Sequence, residues 1–335
     1  MGSHFRLGHV AIAGASVAVL VALVATPQVL GDRLLAGIDG IGAAEPAGLW
    51  LAAVSFASAL ACASIAWRAA IRACGGSCTP GDAAARYCVG SLVNAFAPAR
   101  LGGVVRVVLF ARVAEAEGRI WTAGGIAGAV GAARALWLSV LVALGSASGV
   151  LPAWPAALLA LVVAGAVALA VGARRIRRRE RVAHVLDAFR AIGRSPRSGA
   201  VLAGWVGLAM VARIAAATAL LAAFGIERPL AAALLVVPAV ELAATLPITP
   251  GNVGLSSAAV AFALSAHGVG ADVALSAGIA FSGVETLTSI VAGSAGALAL
   301  VGTPGVRRRL AVATAAAGCV ALAGAFGATV VLPVV

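Results

Sequence analysis

The chain has 335 residues, of which 62% are hydrophobic and 11% charged, with a mean hydropathy of +1.07. A soluble domain is about half apolar and a quarter charged because its surface must be wetted, so this composition excludes a soluble globule and indicates a polytopic membrane protein. The 24 basic residues are all arginine and outnumber 12 acidic ones; they lie between apolar spans, which fits the positive-inside rule and anionic headgroups and argues against a nucleic-acid partner.

A bilayer core takes about 20 apolar residues per helix. In chain order the first span is predicted from Gly8 to Thr26, read as a retained helix with a cytoplasmic N-terminus rather than a cleaved leader. Residues 27–47 carry Asp32, Asp39 and Glu45 and read as an external loop. Leu49 to Trp67 is the second span, closed by Trp67-Arg68 as an interface anchor. Ile120 to Ser146 and Trp154 to Ala173 follow. Residues 174–199 hold nine arginines and read first as a topology-setting cytoplasmic loop, in which Val182 to Ile192 has the pattern of a short amphipathic helix. Further spans are predicted at Ala200 to Phe224, at Asp272 to Leu300 and, after Arg307-Arg308-Arg309, at Leu310 to Val331. This arrangement places 18 arginines on the cytoplasmic side and only Arg33 and Arg228 outside. It makes an all-α protein of about seven full spans, localised to the inner (cytoplasmic) membrane.

The arginine count closes only if two further segments enter and leave on the same side. One runs from Val89 through Asn94, Pro98, Arg100, Gly102 and Gly103 to Arg106. The other runs from Pro238 and Glu241 through Thr245-Leu246-Pro247-Ile248-Thr249-Pro250-Gly251-Asn252-Val253-Gly254. Proline removes a backbone donor and glycine relaxes the chain, so a helix does not continue cleanly through such runs. Broken backbone at membrane depth is tolerated only where it is buried in protein or lines a cavity. The two segments sit at corresponding places, Arg134 follows Pro98 by 36 residues, and Glu285 follows Pro250 by 35. The expected architecture is therefore an inverted repeat: a first half over 49–146 (helix, hairpin, helix), the arginine-rich loop 174–199, a second half over 200–300, and a last helix at 310–331. Paired broken segments of this kind point to a transporter's substrate site; the plainer alternative is two proline-kinked helices with glycines for close packing.

At these residues the sequence resembles the lysylphosphatidylglycerol synthase transmembrane-region family, also called the flippase-like domain. Asn94, Pro98, Arg100, Gly102 and Arg106 match its first motif, and Leu246, Pro247, Thr249, Pro250, Gly251 and Gly254 match its second; the likeness extends over roughly 45 to 300. The chain departs from the pattern at Gly103, Asn252, Ser257 and Glu285. The resemblance implies movement of a lipid or lipid-linked headgroup between leaflets, by the translocating module without a soluble synthase domain.

Arg100 and Arg106 are the expected grips for a phospholipid phosphate, because guanidinium binds phosphate bidentately and stays charged; snorkelling to the interface is the alternative. Asn94 either binds the headgroup or caps broken backbone. Thr249, Pro250, Gly251, Asn252 and Gly254 form the opposing half of the expected site. Arg134, Arg213, Glu241 and Glu285 lie within spans, where a charge costs about 2.5–3.5 kcal/mol, and should pair with one another. Gly124, Gly128 and Ala132 recur every fourth position as a helix-packing face. Ser256 and Ser257 have no His or Asp nearby for nucleophilic catalysis. The five cysteines, Cys62, Cys74, Cys78, Cys88 and Cys319, form no CxxC pair, and neither metal nor cofactor is expected. The leading expectation is a non-enzymatic translocase of an anionic or headgroup-modified lipid. A membrane-embedded transferase using Asp82, Glu115 or Glu117, or a non-catalytic partner of lipid-synthesis enzymes docking through 174–197, are the alternatives.

Overall fold

The computed structural model describes residues 44–96, 101–114, 118–147, 180–244 and 253–301. Every element among them is an α-helix: α1 (Pro46–Ala73), α2 (Pro80–Phe96), α3 (Leu101–Ala111), α4 (Arg119–Ala147), α5 (Glu180–Arg194), α6 (Pro196–Ala223), α7 (Pro229–Ala243), α8 (Val253–Ala266) and α9 (Ala271–Val301). The predicted spans at Gly8 to Thr26, Trp154 to Ala173 and Leu310 to Val331 lie outside the described residues.

Without α5, the helices fall into two quartets with the same order of lengths. The first is 28, 17, 11 and 29 residues (α1 to α4); the second is 28, 15, 14 and 31 (α6 to α9). The four long helices are apolar enough to cross a membrane; at 1.5 Å per residue each reaches about 40 Å, beyond the 30 Å of hydrocarbon. The short ones, about 17–26 Å, fall short of it.

The leading helix of each quartet starts on a proline, whose fixed φ and missing N–H suit the first turn. Each also ends the same way. Gly75 and Gly225 adopt φ of 86° and 67°, a region that side-chain-bearing residues rarely enter. Gly76 N–H then reaches back to Ile71 O (3.0 Å), and Ile226 N–H to Leu221 O (3.1 Å), the six-to-one bond of a Schellman motif.

α1 and α6 run antiparallel. Glu45 N–H donates to Ala223 O at 3.0 Å at one end, a Cβ on Gly48 would strike Ala219 and Ala223, and Phe56 lies over Arg213 further along. Small residues at the crossing bring the backbones close, as in membrane helix packing.

Two hydrophobic cores flank this pair. One gathers Leu49, Phe56, Leu220 and Leu221 with Val236, Val240, Leu264 and Phe281. The other gathers Trp67, Ile71, Tyr87 and Phe110 with Ile126, Ile192, Leu202 and Val206. Trp67 stacks on Phe110 with ring centroids 4.8 Å apart, tying α3 to α1.

Three sequence expectations are corrected here. The segment 174–199 is not only a loop: 180–194 is the amphipathic helix α5, with Ala188 and Ile192 buried. Its docking surface is Gly125, which faces Val185 and Ala188, and Gly128, which faces Phe189, whereas nothing lies near Gly124 and Ala132 is exposed. Of the predicted packing stripe at 124, 128 and 132, Gly128 does face α5, while Gly125 takes the place expected of Gly124 and Ala132 takes no part. Finally, α7 continues through Pro238, so that proline is not part of a break.

Candidate functional site: a charged layer between two apolar cores

α2 and α3 fold back on each other, and their sequence explains how. Asn94 Oδ1 accepts from Gly102 N–H at 2.8 Å, satisfying one of the free donors at the start of α3. Gly102 is buried against the Gly90 carbonyl, where a Cβ would overlap it. Arg106 Nε donates to Tyr87 O (3.2 Å), its Nη2 to Ser91 Oγ (2.7 Å), and its guanidinium lies 4.1 Å from the Tyr87 ring centroid. Further along, Arg86 Nη1 donates to Leu109 O at 3.4 Å. Residue numbers fall on α2 as they rise on α3, so the helices form an antiparallel hairpin. Asn94 caps backbone in this arrangement. Arg106 spends two of its three nitrogens and a ring face on α2, and the structure places it as a brace of the hairpin.

Gly254 stands exposed in the first turn of α8 with nothing within contact distance of a Cβ. Pro98, Arg100, Thr249, Pro250, Gly251 and Asn252 lie outside the described residues. Ser257 is buried and shares a 2.9 Å hydroxyl–hydroxyl hydrogen bond with Ser282 of α9.

The four charges expected within spans come together. Glu241 of α7 accepts from Arg134 Nη2 of α4. Arg213 Nε of α6 lies 3.2 Å from the same carboxylate oxygen without hydrogen-bond alignment. Arg213 Nη1 donates to Glu285 of α9 at 2.7 Å. The result is one chain of alternating sign, Arg134–Glu241–Arg213–Glu285, that joins the first quartet to the second. Its middle is dry and its ends are wetter: side-chain exposure is 39% at Arg134, 5% at Glu241, 18% at Arg213 and 27% at Glu285. Arg213 also lies 5.7 Å from the Phe56 centroid, and Phe56 meets Phe281 edge to face at 5.2 Å.

Three of these charges line a cavity of about 70 Å³ together with Phe56, Tyr87 and Met210. Its walls on α1 (Phe56, Ala59, Leu60, Ala63) and α6 (Val206, Ala209, Met210, Arg213) are the middle turns of both helices. Phe56 and Met210 belong to one apolar core, and Val206 to the other. The cavity is thus a polar layer between two hydrophobic cores, half-way along two membrane-length helices.

The sequence indicated that these four charges must pair, but their order depends on the α1–α6 crossing, which no local pattern encodes. Tyr87 was missed as a wall of the site. As the chain's single tyrosine, one turn before Ser91 and facing Arg106, it carried only a composition signal.

A family model described as the lysylphosphatidylglycerol synthase TM region matches residues 9–293. The chain belongs to that family. The match begins well before residue 45, so the segment at Gly8 to Thr26 belongs to the family region as well. Family membership and the long apolar helices make this a multi-pass membrane protein with a role connected to membrane lipid. No curated protein and no solved structure matches the chain.

Proposed function

We propose that the protein is a translocase of anionic or headgroup-modified phospholipid, and that the charged layer is where the headgroup passes. The observation that carries this reading is the placement of Arg134, Arg213 and Glu285 on a cavity midway along α1 and α6. Ionisable groups at that depth are costly and are otherwise rare. The antiparallel quartets, each with a pair of helices too short to span, fit an inverted repeat whose pairs enter from opposite faces. In that topology the N-terminus and α5 are cytoplasmic and the membrane is the inner one.

A volume of about 70 Å³ is small beside a phospholipid headgroup, so passage needs the site to widen. Moving lipid requires the quartets to rock apart along the α1–α6 crossing. An arriving phosphate would take Arg134, the most exposed member, away from Glu241, loosening the link between the quartets when cargo is present. Arg106 then serves to hold the hairpin, and Arg100 is the remaining candidate grip from the first motif. The chemistry is binding and release with no bond made or broken.

A photoactivatable anionic phospholipid, incorporated with the protein and mapped by peptide mass spectrometry, tests this. Cross-links at Ala59, Leu60 or Ser289 in the cavity wall are expected. Labelling confined to outward-facing residues such as Leu136 and Leu144 of α4 would contradict the proposal.

A further inference from the structure

The charged layer is balanced as it stands, with Arg134 and Arg213 against Glu241 and Glu285 in one chain. A phospholipid phosphate brought to Arg134 adds a negative charge to a layer whose middle is nearly dry. An uncompensated charge at such a place is costly, so one of the groups present must change its charge. Guanidinium stays protonated under all working conditions, and a phosphodiester is a strong acid that stays ionised. The change falls on a carboxylate.

The geometry separates the two acids. Glu241 is nearly dry, is shared by two arginines and is not part of the cavity wall. Glu285 is partly exposed and lines the cavity, so water reaches it, and among the described residues its ion pair is with Arg213 alone. Neutralising Glu285 strands no cation. Arg213 Nε is buried without a hydrogen-bond partner, 3.2 Å from the same Glu241 oxygen that accepts from Arg134. Once a phosphate draws Arg134 away, that oxygen is free for Arg213. The pairs become Arg134 with phosphate and Arg213 with Glu241, leaving Glu285 as a neutral acid.

No other titratable group around Glu285 fills this role. From α2, Tyr87 faces the cavity, and Cys88 lies against Gly293, about two turns along α9; phenol and thiol are ordinarily neutral near pH 7 and gain no proton there. Arg106 of α3 lies over the Tyr87 ring. α1 meets the cavity only through Phe56, Ala59, Leu60 and Ala63. α8 has no titratable residue, and Asp272 stands in the first turn of α9.

We propose that Glu285 is a proton-binding site coupled to the lipid: it takes one proton from water when an anionic headgroup reaches Arg134, and returns it to water when the headgroup leaves. The proton adds to a carboxylate oxygen and the Arg213–Glu285 ion pair opens; no covalent bond to the lipid forms or breaks. Headgroup and proton together are neutral, so a crossing moves no net charge and a proton gradient can drive it. Coupling of this kind rests on the translocase reading.

Calorimetric titration of the full chain, in a neutral detergent, with dihexanoyl phosphatidylglycerol tests it. Runs near pH 7 in two buffers of different ionisation enthalpy count the protons taken up per lipid bound. About one is expected. Because the complex holds the extra proton, affinity should fall as pH rises, by about tenfold per pH unit. Glu285→Gln fixes the neutral form; it should bind with no proton uptake, with an affinity independent of pH and tighter than wild type at the alkaline end. Glu285→Asp should restore the uptake. A residue with a merely structural role would weaken binding when changed and leave the proton count as it was. Lipid binding by wild type without proton uptake, or an uptake that survives in Glu285→Gln, would overturn the coupling and leave the translocase reading standing, whereas no binding at all would remove both. The wild-type count decides even if neither variant folds.

Discussion

Glu241 shows how much one residue carries. It is nearly dry, and two arginines from different quartets converge on one of its oxygens. Glu241→Gln leaves Arg134 without its partner and Arg213 with Glu285 alone, and guanidinium cannot relieve this by losing its proton. A destabilisation of about 3 kcal/mol is expected in thermal or denaturant unfolding in detergent. Arg134→Gln should cost under about 1 kcal/mol, since Arg134 is 39% exposed and its pairing is screened. Two equal losses would argue against a shared centre. At Asn94 the expected loss on Asn94→Ala is about 1 kcal/mol, with Asn94→Asp retaining most of the cap. Asn94 left two roles open in the sequence, because the same amide binds a headgroup or caps a helix; its Oδ1 accepts from Gly102 N–H, which fits the cap.

Among the elements, the α2–α3 hairpin was the most legible. Proline and glycine marked the interruption, and the structure has α2 ending at Phe96 and α3 starting at Leu101. What the pattern did not convey is that Gly102 is the contact point with Gly90. Gly102→Val should separate the two helices and lower the melting temperature by several degrees, whereas Gly103→Val, with open space at its Cβ, should leave it nearly unchanged. α5 was under-read because nine arginines dominate 174–199, while the few apolar residues that dock it are spaced at helical intervals. Its seat is the notch at Gly125 and Gly128. Gly125→Leu is expected to dislodge α5 and speed alkylation of Cys74, whose Sγ lies under Ala188 O; an unchanged rate would mean that α5 is held elsewhere. Pro238 was over-read. α7 carries it without interruption, in line with the tolerance of membrane helices for proline where neighbours compensate.

For the whole molecule, the quartets repeat in element order and in the motifs that end α1 and α6, and they meet antiparallel. The order of long and short helices was legible because prolines, glycines and charges recur at a fixed separation in the sequence. The division of the interior into two apolar cores with the charged layer between them was not, since it arises from which halves of α1 and α6 face which neighbours. That division gives the transport reading its geometry: two apolar cores, a polar layer between them, and a chain of ion pairs in that layer that joins the quartets.

Flux is the most direct test. Vesicles holding the protein and a fluorescent anionic phospholipid in both leaflets are treated with an impermeant quencher, and the quenched fraction is followed with time. The account predicts that wild type exposes the inner-leaflet lipid to the quencher, while Arg134→Gln, folded and equally incorporated, slows the exchange about tenfold or more, as expected for losing a charged contact to the headgroup. A wild-type rate no faster than protein-free vesicles, or an unchanged rate in Arg134→Gln, would contradict it.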